Sequence, residues 1–230
     1  MNLLSTDDYL AIYLTLQLAA TTTVVLLLIC IPCGWWLANS RWRIKPLLEA
    51  IIALPLVLPP TVIGFYLLVM MAPQGVIGQL WGGLFDSTLP FSFTGLLIGS
   101  VIYSLPFVMQ PLQNNFERIP KDLLNAAATM GASPLDRFVT VVLPLSKTSI
   151  ITAASLGFAH TIGEFGVVLM IGGNIPGETQ LISIALFDRV ENLQYQQAHI
   201  LAAGLMIFSV VTLVLLYSLN SNKRGGSIWK

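Results

Sequence analysis

The sequence predicts an all-α integral membrane protein whose single domain covers residues 1–230 and crosses the bilayer five or six times. Of the 230 residues, 55% are hydrophobic and only 10% are charged, and the mean hydropathy is +0.79. Ordinary soluble domains carry about 25% charged residues, so that class is excluded. The 11 lysines and arginines balance the 11 aspartates and glutamates. Without a basic excess, nucleic acid is not an expected partner.

Five apolar stretches predict the spans, since about 20 apolar residues cross a bilayer core of ~30 Å. They cover approximately residues 10–36, 50–71, 93–110, 148–172 and 199–219. The first is predicted to remain in the membrane rather than to be cleaved as a signal peptide. The reason is that Asp7 and Asp8 precede it where a signal peptide has basic residues.

The cations predict the orientation, because lysine and arginine are retained in cytoplasmic loops. Ten of the eleven follow the first, third or fifth span, and only Arg189 falls on the opposite side. The ten are Arg41, Arg43, Lys45, Arg118, Lys121, Arg137, Lys147, Lys223, Arg224 and Lys230. The N-terminus is therefore predicted outside and the C-terminus in the cytoplasm.

The outer segment 173–198 is predicted to contain a short helix. Leu181, Ile184, Ala185 and Val190 fit one face of an amphipathic helix there. Such a helix would lie along the outer surface or cap an internal passage.

Span two carries Pro55, Pro59 and Pro60 within six residues. Each proline removes a backbone donor and clashes with the preceding turn, so a straight helix is not expected. The backbone groups freed in this way must be buried in protein or line a wet cavity. The bend is interpreted either as part of a translocation pathway or as a packing kink.

Span four contains His160 and Glu164, and ionisable side chains at depth in a bilayer suggest a function because they are costly. Being four residues apart, they are expected to share one helical face. One alternative is a role in a pathway. The other is structural, with Glu164 paired to His160 or bonded to amides freed near Gly163 and Gly166.

The cytoplasmic loop 113–147 predicts a docking surface. Pro120 at a helix start and Gly131 as a stop predict a short alanine-rich helix, and Ser133 followed by Pro134 predicts the start of a second. A rigid helix-turn-helix whose alanines permit close approach is suited to contact another protein.

This loop resembles the E-A-A-x-x-x-G-x(9)-I-x-L-P loop of bacterial ABC importer permeases. The residues that match at the same spacings are Asn125, Ala126, Ala127, Gly131, Val141, Leu143 and Pro144. Asn125 replaces the usual glutamate, and Val141 replaces a frequent isoleucine. Residues 54–60, 163–166 and 174–179 are similar to molybdate transporter permeases, with sulfate and tungstate permeases close behind. His160 stands where some molybdate permeases have arginine.

The resemblance implies the type I ABC importer permease fold, used as a homodimer in the bacterial cytoplasmic membrane. It also implies alternating access driven by two cytoplasmic ABC ATPases, and delivery of cargo by an extracytoplasmic molybdate-binding protein. The chain itself would bind no cofactor, since ATP is used by the partner and no G-x-x-x-x-G-K-[ST] motif is present. The residues implied to couple to the ATPase are Asn125, Ala126, Ala127, Gly131, Ala132, Ser133, Leu143 and Pro144.

The expected pathway or gating residues are Pro59, Pro60, Thr61, His160, Gly163, Glu164 and Gly166. Hydroxyl side chains offer neutral donors to an oxyanion. Those expected to line the pathway are Thr61, Ser104, Ser155 and Thr161. The outer helix near residues 180–190 is the candidate for gating or for contact with the binding protein.

Other functions remain as alternatives. A sulfate or tungstate permease differs only in cargo, whereas an ion-coupled transporter or channel would use Glu164 and His160 as a proton relay. An intramembrane enzyme is disfavoured because neither H-E-x-x-H nor G-x-S-x-G occurs, and no catalytic or metal-binding residue is predicted. Cys30 and Cys33 lie in an apolar run and are interpreted as core residues.

Overall fold

The computed structural model describes residues 5–221, and every regular element among them is helical. The α-helices are α1 Thr6–Asn39, α2 Lys45–Ala53, α3 Pro60–Met71, α4 Val76–Phe85, α5 Phe93–Glu117, α6 Lys121–Thr129, α7 Pro134–Arg137, α8 Leu143–Ile162, α9 Gly166–Gly172, α10 Ile182–Glu191 and α11 Tyr195–Ser221. A 3-10 turn, Leu54–Leu56, follows α2, and a π-helix, Phe138–Val142, joins α7 to α8. Lys223, Arg224 and Lys230, which contribute to the predicted orientation, lie outside the described residues.

The predicted fold class is confirmed. Within residues 5–221, four helical stretches are long and apolar enough to cross a membrane: α1, α5, Pro134–Ile162 and the part of α11 up to Leu215. Lys45–Leu56 and Pro60–Met71 pass the same test together and are bent by 109° at their junction. Counting that bent pair as one span gives five.

Two helices extend beyond the apolar stretches of the sequence. α5 continues past Gln110 to Glu117, and the helix of span four begins at Pro134 rather than near Thr148. Hydropathy marks only the apolar part of a helix, whereas Ser133 caps this one by hydrogen bonds made within the polar loop. Most of the loop 113–147 is therefore helical.

The core lies where α1, α5 and α8 pack together. Cys30 and Val108 are fully buried there. Gly157 of α8 approaches α5 so closely that a Cβ would lie 2.5 Å from Val108 Cγ2, as is common where small residues permit helix contact in membranes. Cys33 is exposed, so only one of the two cysteines is a core residue.

The predicted outer helix corresponds to α10, but it packs on two sides. Leu181 and Ile184 are buried in a cluster with residues of α1, α5 and α9, and Ala185 is buried in another cluster with α1 and α11. Val190, predicted to share their face, is 43% exposed. Of the two predicted placements, the one along the outer surface is wrong, because α10 is buried on two sides against other helices. The placement as a cap of an internal passage stays a prediction.

Candidate functional site

The two irregular spans cross each other at their breaks. Span two turns at Pro59 and Pro60, and span four is interrupted between α8 and α9. A Cβ on Gly166 would lie 2.8 Å from Pro60 Cβ, and a Cβ on Gly64 would lie 2.7 Å from Met170 Cβ. The absence of side chains at both glycines therefore permits this crossing, which we call the break contact. Non-helical backbone within a membrane must be buried in protein or line a water-filled cavity, and here the two breaks are packed against each other.

Glu164 lies inside the break of span four. The residue is 3% exposed, and neither of its carboxylate oxygens has a hydrogen-bond partner among the described residues. Its backbone carbonyl accepts a hydrogen bond of 2.6 Å from Ser183 Oγ of α10. The prediction that Glu164 shares a helical face with His160 is wrong, because α8 ends at Ile162 before the chain reaches Glu164. The expected bonds to His160 or to freed amides are not formed either.

His160 instead packs against α5. Its Nδ1 lies 2.9 Å from Ser104 Oγ. Its ring stacks on Phe107, with the centroids 3.8 Å apart, and lies 5.0 Å from the ring of Tyr103. The imidazole is half-buried, and three side chains of one helix fix its plane.

The four hydroxyl residues expected to line a pathway lie in different surroundings. Ser104 and Thr161 are fully buried and lie 3.2 Å apart, so they support His160 rather than line a passage. Ser155 donates to Ile151 O of its own helix. Thr61 is exposed at the start of α3, and Ser155 is half-buried, so neither of these two is enclosed in the core.

An open stripe on α5 was missed by sequence reasoning. Tyr103, Phe107, Gln110, Asn114 and Glu117 follow one another at helical spacing, and none of them is buried. On the adjoining face of α5, the residues spaced one turn apart are all buried. They are Ser100, Ser104, Val108, Leu112 and Phe116. Because amide side chains facing lipid are costly, the stripe is expected to face water or a protein partner. The signal was present in the sequence as the polar end of an otherwise apolar helix.

The stripe leads into a polar cavity of about 550 Å³. The cavity is lined by Lys45, Glu49, Ile52, Ala53, Gln110, Gln113, Asn114 and Glu117. Lys45 Nζ lies 2.9 Å from Glu117 Oε1 and 3.6 Å from Glu49 Oε1. Gln113 Nε2 donates to both carboxylates, at 2.6 Å to Glu49 and 3.1 Å to Glu117. This network joins α2 to α5. The sequence alone shows only one part of it, the four-residue spacing of Lys45 and Glu49 on one helix.

The turn between α6 and α7, which we call the elbow, is closed by hydrogen bonds from both sides. Gly131 has φ +88°, its N–H donates to Ala128 O, and Ala132 N–H donates to Ala127 O, each at 3.0 Å. This pair of bonds is the Schellman motif. Immediately afterwards, Ser133 and Asp136 form a reciprocal capping box. The predicted helix-turn-helix is present and its turn is rigid.

The surface around the elbow is open. No residue of α6 is buried, and Asn125, Ala126, Gly131 and Ser133 are exposed. Met130 is 88% exposed. A methionine and alanines facing water suit a surface that another protein covers.

From the elbow the chain runs as one helical stretch, Pro134–Ile162, to the break of span four. The π-helix within it precedes Pro144, and Leu143 N–H donates to Phe138 O across the wider turn. Proline lacks an N–H and clashes with the preceding turn, so a widened turn accommodates it. Leu143 is half-buried and Pro144 is exposed. Of the predicted coupling residues, Ser133 lies directly before this stretch, and Leu143 and Pro144 lie within it, whereas His160 lies near its other end.

The other end of the bundle is held by Arg189. Its Nη2 lies 3.3 Å from Asp8 Oδ1, and its Nη1 donates to Gln194 Oε1 at 2.8 Å. This ties α10 to the start of α1. No group of three or more His, Cys, Asp or Glu side chains within residues 5–221 could hold a metal ion.

Comparisons with known proteins agree on one family. The model of the family described as "Binding-protein-dependent transport system inner membrane component" matches residues 30–224. The molybdenum transport system permease protein ModB of Azotobacter vinelandii is 57% identical, covering 96% of this chain and 98% of that protein. ModB of Escherichia coli K12 is 33% identical over 82% of each chain. The sulfate permease CysT of the same organism is 31% identical over 82% of this chain and 66% of its own length.

A solved structure supports the fold independently. A chain of a bacterial alginate ABC transporter, crystallised with an alginate-bound periplasmic protein, superposes with a TM-score of 0.73. The match covers 96% of this chain and 79% of that chain at 17% identity. At this identity the likeness extends to the fold alone.

Proposed function

Because this chain belongs to the family of binding-protein-dependent transport system inner membrane components, we propose that it is the membrane-spanning subunit of an ATP-driven molybdate importer. The observation that carries the proposal is the 57% identity to a molybdenum transport permease over 96% of the chain. The sulfate permease named above is less similar and is matched over less of its own length. Molybdate is therefore favoured over sulfate, the second candidate cargo.

The chain is a multi-pass protein of the inner membrane. We propose that its N-terminus lies outside and its C-terminus in the cytoplasm, as the retention of cations predicts. Two ion pairs support this orientation by marking opposite ends of the bundle. Lys45 contacts Glu117 at the end that carries the elbow, and Arg189 contacts Asp8 at the other end.

Two copies of this chain would form the pathway, and two separate ATPase subunits would supply the energy. Each ATPase would dock on α6, whose exposed alanines permit close approach. ATP would be bound by the ATPases, and this chain would carry no cofactor. A molybdate-binding protein would deliver cargo at the end marked by Arg189 and α10.

Transport would follow from moving α6 as a rigid body. The elbow transmits the displacement because its turn is closed on both sides, and the helix Pro134–Ile162 carries it to the break contact. There, Pro60 and Thr61 lie against Gly166 across the crossing of two spans. Alternating access would open and close this crossing, as in other domain and helix rearrangements.

Molybdenum accumulation tests the proposal. Cells lacking both this gene and the gene of its ATPase are grown at trace molybdate, and their molybdenum content is measured by mass spectrometry after complementation with this chain alone, with this chain and its ATPase, or with neither. Restored accumulation is expected only when the ATPase is present, and it should resist excess sulfate. Accumulation without any ATPase would contradict the importer, and loss of accumulation under excess sulfate would make sulfate the cargo.

A further inference from the structure

An oxyanion that crosses this protein meets few cationic groups. Span one has no lysine or arginine before Arg41. Spans two to five also lack both residues, since none occurs in residues 46–117, 148–188 or 190–222. Moving an unpaired charge into an apolar interior is costly. Only His160 and His199 can supply a cation within these spans, and His199 lies exposed in the first turns of α11. His160 is the one that packs between span four and α5.

A series of three hydrogen-bond contacts indicates which ring nitrogen of His160 carries the proton. Thr161 Oγ1 donates its single proton to Gly157 O at 2.9 Å. The contact of 3.2 Å between Ser104 and Thr161 must then use the proton of Ser104. The contact of 2.9 Å between Ser104 and His160 consequently requires a proton on Nδ1. No other assignment supplies a proton to all three contacts.

This tautomer leaves a lone pair on Nε2. That nitrogen has no hydrogen-bond partner among residues 5–221 and is not among the buried atoms that lack one. The ring borders the stripe of α5, since it stacks on Phe107 and lies beside Tyr103. A neutral imidazole in this state accepts but cannot donate at Nε2, so it offers an oxyanion nothing. A protonated imidazole donates there with a full charge.

We propose that His160 binds the oxyanion within the membrane and does so only as an imidazolium, with Ser104 and Thr161 as positioning residues. The inference rests on the proposed function for its cargo and for the pairing of two copies. Two copies bring two His160 side chains, and two imidazolium charges equal the charge of one tetrahedral dianion. Each ring takes one proton from water at Nε2 as the anion arrives and returns it when the anion leaves.

The surroundings contain few groups that would compete for this role. From α5 the titratable neighbour is Tyr103, and from the break of span four it is Glu164, whose carboxyl is buried. α1 contributes no charged side chain between Asp8 and Arg41, and α11 contributes only His199 as a titratable nitrogen. Imidazole is also the side chain whose ordinary change of charge falls between about pH 5 and pH 8.

The test uses the complete importer in proteoliposomes, with ATP inside and molybdate-loaded binding protein outside. Molybdate uptake and ATP hydrolysis are measured from about pH 6 to about pH 8, where imidazole changes charge. Wild-type uptake is compared with His160→Gln, with Ser104→Ala and with Ser100→Ala. Ser100 is the matched control, because it is a buried serine one turn from Ser104 that takes no part in the contacts among Ser104, Thr161 and His160.

The ratio of wild-type uptake to His160→Gln uptake is expected to rise as the pH falls. At the lowest pH the variant should be roughly tenfold slower than wild type, since charge-assisted hydrogen bonds are the stronger ones. Ser104→Ala removes the acceptor for Nδ1–H, so the neutral ring can carry its proton on Nε2 and donate from there. Its uptake should therefore depend less on pH than wild type, whereas Ser100→Ala should keep the wild-type profile.

The outcomes separate this inference from the proposed function. Equal rates and equal pH profiles for wild type and His160→Gln would overturn the role of His160 while leaving the importer intact. A flattened profile in both serine variants would overturn the positioning by Ser104. Absence of ATP-dependent molybdate uptake in the wild type would instead refute the proposed function. Retained ATP hydrolysis in each variant serves as the check that the complex has assembled.

Discussion

Gly131→Ala gives the sharpest test of the elbow, because its effect is confined to backbone conformation. The residue has φ +88°, and a Cβ built there meets nothing within 4 Å. No clash is added within the described chain. The cost is that of holding a side chain in the left-handed region, about 1–2 kcal/mol. A cost of this size lowers the ratio of intact to distorted elbows by about 5- to 30-fold.

The elbow orients the surface on which the ATPase is proposed to dock, so distortion should appear in coupling rather than in folding. Molybdate uptake should fall, by at most the same factor of about 5 to 30, because the fraction of intact elbows cannot fall by more than their ratio to distorted ones. The amount of protein in the membrane should not change. Gly131→Asn is the matched control, since asparagine enters the left-handed region more readily than alanine.

Uptake and ATPase stimulation by the loaded binding protein are measured for both variants in the same vesicles. Asparagine should retain more activity than alanine. Equal activity of the two variants would refute the conformational explanation, because both add a side chain at the same open position. A loss of membrane-inserted protein in Gly131→Ala alone would refute the claim that the elbow is separate from the folded core.

Three further predictions concern stability in detergent. Ser133→Ala removes the N-terminal cap of the helix Pro134–Ile162 and should cost about 1 kcal/mol. The expected result is a lower melting temperature together with weaker ATPase stimulation. Gly166→Ala forces a Cβ against Pro60 and should cost about 1–3 kcal/mol. The control is Gly82→Ala, whose added Cβ meets nothing within 4 Å and which should be neutral or stabilising. Equal melting temperatures of the two variants would contradict the break contact. Glu164→Gln should leave assembly intact and not lower the melting temperature, because the carboxylate has no partner to lose; a dissociated or unfolded complex would contradict that reading.

The fold class and the elbow could be predicted because local sequence determines them. Five apolar stretches identified the spans, and the glycine stop at Gly131 followed by the cap at Ser133 identified a helix-turn-helix. The Schellman motif and the capping box each depend on residues within six positions of one another. Such signals can be read without knowledge of the tertiary structure.

The surroundings of His160 could not be predicted in the same way. Periodicity assumes that a helix continues, so it paired His160 with Glu164, but the chain leaves the helix at Gly163. The actual partner, Ser104, is 56 residues away. Similarly, the polar cavity forms only when the bend of span two brings Lys45 and Glu49 against α5. Long-range contacts of this kind depend on packing that no local pattern specifies.

One helix connects the elbow to the part of the bundle where His160 and the break contact lie. The helix Pro134–Ile162 has 29 residues, which at 1.5 Å per residue is about 43 Å. Its first residue adjoins the elbow. Its last turns contain His160 and lead into the break contact. Only the π-helix interrupts its regular hydrogen bonding, and that segment is braced because Val142 is fully buried in the core. A displacement of α6 would therefore be carried along this helix to His160, whose contact with Ser104 joins it to α5, and onward to the crossing of α9 with α3 at Gly166.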